Sequence, residues 1–182
     1  AIETAENRFD ALYIMDIETY DTDGILVASE DQVQSVRYTI NNFRDRNINT
    51  SFGATYFPDV IMRDTVANTL RQVPPSVAVL GAYSQNDKLA YAWYAPAGFN
   101  RGALNFVSTT AVRLNYADRD FLYDNRINPI TSFPGTGYVI FGQKTLQVGK
   151  SALDRVNVRR LVNEVKRVVS NIASTFLFEQ NN

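Results

Sequence analysis

The chain has 182 residues, of which 45% are hydrophobic and 20% charged, with a formal net charge of -1. That is long enough for one domain with a small appendage, and it carries no global basic footprint for nucleic acid. It contains no cysteine and no histidine, which excludes a disulfide scaffold, a zinc site, a thiol nucleophile and an imidazole base within this chain.

The opening stretch, AIETAENRFD, is polar and lacks the apolar core of a signal peptide. The chain also lacks an initiator Met, so it reads as a fragment or a processed chain. No apolar run approaches the roughly 20 residues of a membrane span, so no membrane insertion is expected. ALYIMDIETY (11–20) reads as a strand and DTDG (21–24) as a turn. A helix is expected from Ser29, with Gln32 completing a capping box and Val33, Val36, Ile40 and Phe43 on one face. TSFGATYFPDVIM (50–62) reads as a second strand, and strand–helix–strand implies a βαβ start with a parallel pair.

Residues 63–72 are polar. VPPSVAVLGAY (73–83) reads as an apolar helix whose first turn suits Pro74 and Pro75. YAWYAPAGFNRGAL (91–104) is an aromatic, Gly- and Pro-containing loop, and 105–115 a strand. ADRDFLYDNRIN (117–128) is a short helix with Asp118 near its start and Asn125 near its end. PGTG (134–137) is a turn followed by the strand YVIFG. The clearest helix runs from about Asp154 to Phe176. The expected class is therefore α/β: a mixed sheet with flanking helices, a βαβ start and a long C-terminal amphipathic helix.

Three stretches invite a chemical reading. GYVIFGQKT (137–145) nearly matches the phosphate-loop pattern G-x-x-x-x-G-K-[ST]. Gln143 displaces the lysine, however, and Tyr138, Val139, Ile140 and Phe141 are bulky strand formers that do not curl around a phosphate. A core strand between two glycine turns is the better reading. Asp21, Asp23, Gly24 and Glu30 match positions 3, 5, 6 and 12 of an EF-hand loop, but Thr19 stands at position 1 and a strand precedes it. A β-to-α turn fits more simply.

The third is the long helix. Val158, Leu161, Val162, Val165, Val168, Val169, Ile172 and Phe176 form one stripe. At about 100° per residue they span about 120° of arc. Arg159, Arg160, Lys166 and Arg167 occupy a separate sector, with Glu164 near its edge. The stripe is expected to pack on the domain and the cations to face out, as a solvated face or as a docking face for an acidic partner. No serine triad is available without histidine. Asp118 and Asp120 read as surface carboxylates near a helix start, and no catalytic residue, cofactor site or metal site is expected.

Taken in order, PPSVAVLGAY, YAWYAPAG, RINPITSFPGTGYVIFGQKTL and LDRVNVRRLVNEV resemble the tail sheath proteins of contractile-tailed bacteriophages. The most specific pieces are Asn128–Ile130, Pro134–Gly137, Phe141–Gly142, Thr145–Leu146 and Asn157–Leu161, and the likeness covers about residues 50–178. The family often has Trp where Phe141 stands and F-E-P-N where this chain has Phe178, Glu179, Gln180 and Asn181. It usually continues into a further C-terminal segment, so the chain looks like a piece of a longer subunit.

The resemblance implies a structural subunit, not an enzyme, that polymerises helically around the tail tube and contracts to drive the tube through the host envelope. It implies an α/β sheath core over 1–150 and the start of a tube-facing C-terminal helical region over 151–182. Arg155, Arg159, Arg160, Lys166 and Arg167 become candidate tube contacts. The implied partners are other sheath subunits, the tail tube protein, and baseplate and tail terminator proteins, in a virion assembled in the host cytoplasm. A phage-derived bacteriocin or injection device shares the same machinery. An α/β enzyme using Asp or Lys, and a basic-helix module for nucleic acid, are the readings from other classes.

Overall fold

A computed structural model describes residues 1–27 and 33–177. The chain opens on a short helix, α1 (Ile2–Arg8), before the first strand, β1 (Tyr13–Met15). Then come α2 (Val36–Asp45), β2 (Gly53–Phe57), β3 (Val60–Asp64), β4 (Thr69–Val73), α3 (Pro75–Leu89), α4 (Gly98–Arg101), β5 (Val107–Thr110), α5 (Tyr116–Asp124), β6 (Ile127–Phe133), β7 (Gly137–Ile140) and α6 (Val156–Thr175). The four-stranded sheet has the order β1-β2-β6-β7; β1–β2 and β2–β6 are parallel, and β6–β7 is an antiparallel hairpin. A second sheet, β4-β3-β5, is antiparallel.

Several expectations shift in detail. The strand expected over 11–20 shrinks to three residues, because Asp16 turns its carboxylate to the Ser76 N–H and hydroxyl at the start of α3. The single strand expected over 50–62 is two strands in two sheets. Pro58, which has no N–H to give a ladder, stands at the break. The polar stretch 63–72 contains β4; its Thr69 and Leu70 pair with Asp64 and Arg63 across a tight turn in which Asp64 Oδ1 accepts from the Val66 and Ala67 N–H groups. The expected cap at Ser29 and Gln32 lies outside the described residues, and α2 begins after Ser35. α5 is capped by Asn115 and Asp118 in a reciprocal box, with Asn125 at its end.

The four-stranded sheet is covered on both faces, which is why β2 is buried along its whole length. Ala54 and Tyr56 point to a core with Ala78, Val79, Ala82 and Tyr83 of α3. Phe57 points the other way, to a core with Ile40 and Phe43 of α2 and Leu122 of α5. Burying side chains of this size stabilises by roughly 1.5–3 kcal/mol each relative to exposure.

Inside the first core the hydroxyls of Tyr56 and Tyr83 meet at 2.5 Å. Burial raises the pKa of both phenols above the ordinary value. A raised folded-state pKa leaves its stabilising contribution intact below the unfolded phenol pKa of about 10 and removes it as pH rises above that value. The unfolding free energy from urea titrations at pH 9 to 11.5 should therefore fall once past about pH 10, with a slope approaching ~1.4 kcal/mol per pH unit for each phenol. Stability that stayed level through pH 11 would contradict the burial of this pair.

The near-phosphate loop has a structural use. Gly137 takes a left-handed φ of 81° at the hairpin turn, and Tyr138–Ile140 lie in β7. A Cβ on Gly142 would meet Asn128 Oδ1 at 2.8 Å, so the chain passes directly against that buried side chain. Asn128 donates from Nδ2 to the Thr55 and Lys144 carbonyls at 3.0 and 2.8 Å, and its Oδ1 accepts from the Lys144 N–H at 2.6 Å. Lys144 itself donates to the Tyr123 carbonyl and lies 3.9 Å over the Tyr123 ring. The lysine and threonine that would meet a phosphate are thus committed within the fold, Lys144 to Tyr123 of α5 and Thr145 to the Leu153 and Asp154 carbonyls.

Candidate interaction surface on the terminal helix

α6 is fastened at its beginning and free further on. The Val156 N–H donates to the Gln143 carbonyl at 2.8 Å, Thr145 is bonded to the Leu153 and Asp154 carbonyls through its hydroxyl and N–H, and Val156 is fully buried. From Val165 to Leu177 every residue is exposed.

The expected orientation of this helix is corrected. Most of the apolar stripe does not pack on the domain: Val158 and Val162 are half-buried, but Val165, Val169, Ile172 and Phe176 are all more than half exposed, and Leu161 and Val168 are exposed too. The inward side of the first turns is instead held by arginines. Arg159 is only 5% exposed; its guanidinium lies 4.0 Å over the Phe52 ring and donates to the Ser51 hydroxyl at 2.6 Å. Burial lowers its pKa from the ordinary arginine value. Arg160 pairs with Asp87 of α3 at 2.5 Å and covers the Tyr83 ring at 4.8 Å. The physical reason is the length of the arginine stem, which packs as apolar surface while its head reaches fixed acceptors.

The other three candidate cations are accessible. Arg155 donates to the Tyr123 hydroxyl and lies 3.3 Å from the Asp154 carboxylate. Lys166 stands 4.5 Å over the Phe9 ring of the segment after α1, and Arg167 is paired with Glu164 at 2.6 Å. The five do not form one outward basic face: two anchor the helix, and Lys166 and Arg167 lie beside the exposed apolar stripe. Nothing in periodicity alone separates an anchoring arginine from a displayed one. The signal that was available is the position of Arg159 and Arg160 in the first turns, next to the fastened end.

The near-EF-hand turn is also structural. Asp21 Oδ1 accepts from the Asp23 and Ile25 N–H groups at 2.9 and 2.8 Å, and Gly24 takes a φ of 78°. Its Glu30 lies outside the described residues. Asp118 serves the α5 cap. Among the described residues no group of three or more acidic side chains is placed to hold a metal ion, and no helix is long and apolar enough to cross a membrane.

The chain is 37% identical over 145 residues to the tail sheath protein of Enterobacteria phage T4, matching 80% of this chain and 22% of that protein. It is 44% identical over 111 residues to the tail sheath protein of Vibrio phage KVP40, matching 61% of this chain and 16% of that protein. It is 32% identical over 118 residues to the tail sheath protein of Salmonella phage ViI, matching 65% of this chain and 19% of that protein. The chain thus spans about a fifth of the length of these curated relatives. No family model matches it. Among solved structures it resembles the sheath complex of an extracellular contractile injection system, PVC, in its contracted state, with TM-score 0.65 and 30% identity over 79% of this chain and 40% of that one. It resembles the contracted helical sheath of the anti-feeding prophage with TM-score 0.63 and 29% identity over 74% of this chain and 36% of that one.

Proposed function

We propose, for a chain whose sequence and fold match a segment of the phage tail sheath proteins, that it is part of a contractile sheath subunit. Copies polymerise helically around a tail tube, and the polymer shortens to drive the tube through a host envelope. The observation that carries this reading is the 37% identity over 145 residues to a phage tail sheath protein, joined to a fold shared with two contracted sheaths. The role is mechanical. The chain supplies a rigid two-sided sheet, a helix pinned at one end, and exposed aromatic and apolar side chains of the kind that make contacts. No catalytic step is assigned to it.

Residues 1–150 form the sheath core in this reading, and 151–182 begin the region that faces the tube. Arg155, Lys166 and Arg167 are the cations available to an acidic tube surface, while Arg159 and Arg160 hold the helix that presents them. Baseplate and terminator proteins close the two ends of the polymer, and the whole is a virion component assembled in the host cytoplasm. The phage reading stands ahead of a phage-derived injection device because the phage relatives reach 44% identity, against 30% for the injection-system sheath.

Electron microscopy of the complete subunit, expressed without other tail proteins, tests the reading. Regular tubes with a helical repeat are the expected result; dispersed monomers, with tail tubes added as well, would overturn it. Lys166→Glu with Arg167→Glu should leave sheath–sheath polymers intact and reduce attachment to tail tubes by roughly tenfold or more, read by co-sedimentation. Unchanged attachment would remove the tube-contact role from α6.

A further inference from the structure

Along α5 and the β6–β7 hairpin runs a surface that meets the terminal helix only at Arg155, before its first turn. At one end an open cleft of about 490 Å³ is walled by Tyr116, Tyr123, Phe133 and Phe141, with Arg119 between them. The Arg119 guanidinium lies 5.2 Å from the centres of both the Tyr116 and the Phe133 rings. Beyond Tyr123 a second cleft, of about 580 Å³, is lined by Arg126, Lys144, Lys150 and Arg155. Together the two hold five cations against three carboxylates, Asp120, Asp124 and Asp154. Tyr123 joins them, because its carbonyl and hydroxyl hold Lys144 and Arg155. Arg119 and Arg126 each have a buried Nε with no acceptor, and among the described residues neither forms an ion pair. Aromatic walls around an arginine are the composition of binding hot spots.

What fits such a trench is a short segment carrying carboxylates beside apolar side chains. This chain has one. Residues 16–26 hold Asp16, Glu18, Asp21 and Asp23 and no cation. Asp23 is exposed and forms no ion pair among the described residues, and next to it Ile25 and Leu26 are 63% and 48% exposed. Asp21 and the Tyr20–Leu26 bridge hold the turn in shape, so little ordering remains to be done on docking.

We propose that the α5 trench of one copy receives the Asp21–Leu26 turn of a second copy, with Asp23 meeting Arg119 and Ile25 and Leu26 packing on the Phe133–Phe141 side. The two patches differ, so the contact is heterologous and leaves the turn of the first copy and the trench of the second free. Such contacts propagate into open helical polymers when the rotation does not close a ring. The inference rests on the sheath reading and adds to it a named subunit contact.

Charge exchange in the complete subunit tests it. Asp23→Arg, in an exposed turn, and Arg119→Asp should each raise the concentration needed for polymerisation by roughly tenfold or more. Combining both changes in one chain restores the pair across the contact and should return polymerisation to near its original level. Circular dichroism checks that Arg119→Asp folds, and Tyr116→Ala, at a highly exposed ring, serves as a second trench variant with the same expected direction. If the unaltered subunit forms tubes and all these variants polymerise equally well, the trench contact is wrong and the sheath reading stands. If the double variant fails while each single variant is impaired, the two sites do not meet and the pairing is overturned. If the unaltered subunit forms no tubes, both fall together.

Discussion

Asn128→Ala should lower the stability of this domain by roughly 3–6 kcal/mol, enough to bring its melting temperature down by something on the order of 10–20 °C. The side chain is fully buried and satisfies three backbone groups, the Thr55 and Lys144 carbonyls and the Lys144 N–H. Alanine removes all three bonds, at about 1–3 kcal/mol for each buried group left unpaired, and it opens a cavity beside Gly142. Asn128→Asp keeps the acceptor and loses both donors, and it buries a charge against two carbonyls, so it should be no milder. Thermal and urea unfolding check this directly. A loss under about 1 kcal/mol would show that the loop carrying Lys144 is held by something other than Asn128.

Arg159→Ala should destabilise by roughly 2–4 kcal/mol, whereas Lys166→Ala should change stability by less than about 1 kcal/mol. Both are cations on α6, but Arg159 is buried against Phe52 and bonded to Ser51 over a sequence separation of more than a hundred residues, while Lys166 is exposed. Arg159→Lys should recover only part of the loss, because an ammonium neither stacks flat on the ring nor presents the same donors. The comparison matters for reading function. A charge-reversed Arg159 that fails to bind tubes would report an unfolded helix, so tube contact is tested at Lys166 and Arg167 and helix anchoring at Arg159. Equal melting temperatures for Arg159→Ala and the original chain would return Arg159 to the displayed face.

The contrast between these two arginine-lysine positions marks where local pattern stops informing. Elements whose signals lie within one turn of chain were legible in the amino-acid order: α3 from its paired prolines and apolar run, α5 from Asp118 and Asn125, the hairpin turn at Gly137, and the long α6 from its stripe. Propensity, capping and turn chemistry depend on neighbours a few residues away. The sheath resemblance was legible for a related reason, since it rests on short ordered motifs such as Asn128–Ile130 and Asn157–Leu161, and it is matched by 32–44% identity to three phage tail sheath proteins.

The composition and order of residues by themselves determined the α/β class, the absence of cysteine and histidine chemistry in this chain, and the amphipathic character of α6. Tertiary structure decided the rest. It split 50–62 into strands of two sheets, turned the polar 63–72 into a sheet edge by pairing Asp64 with Thr69, and chose which side of α6 meets the domain. An amphipathic stripe states only that two faces differ. Which face is covered depends on what lies opposite, and here Phe52, Ser51, Tyr83 and Asp87, distant in sequence, offer rings and acceptors that suit arginine and leave Val165, Val168 and Val169 outside. The same holds for the cleft beside α5: Arg119 and Phe133 become neighbours only when α5 packs on β6, so a cleft of this kind has no signature in the linear order.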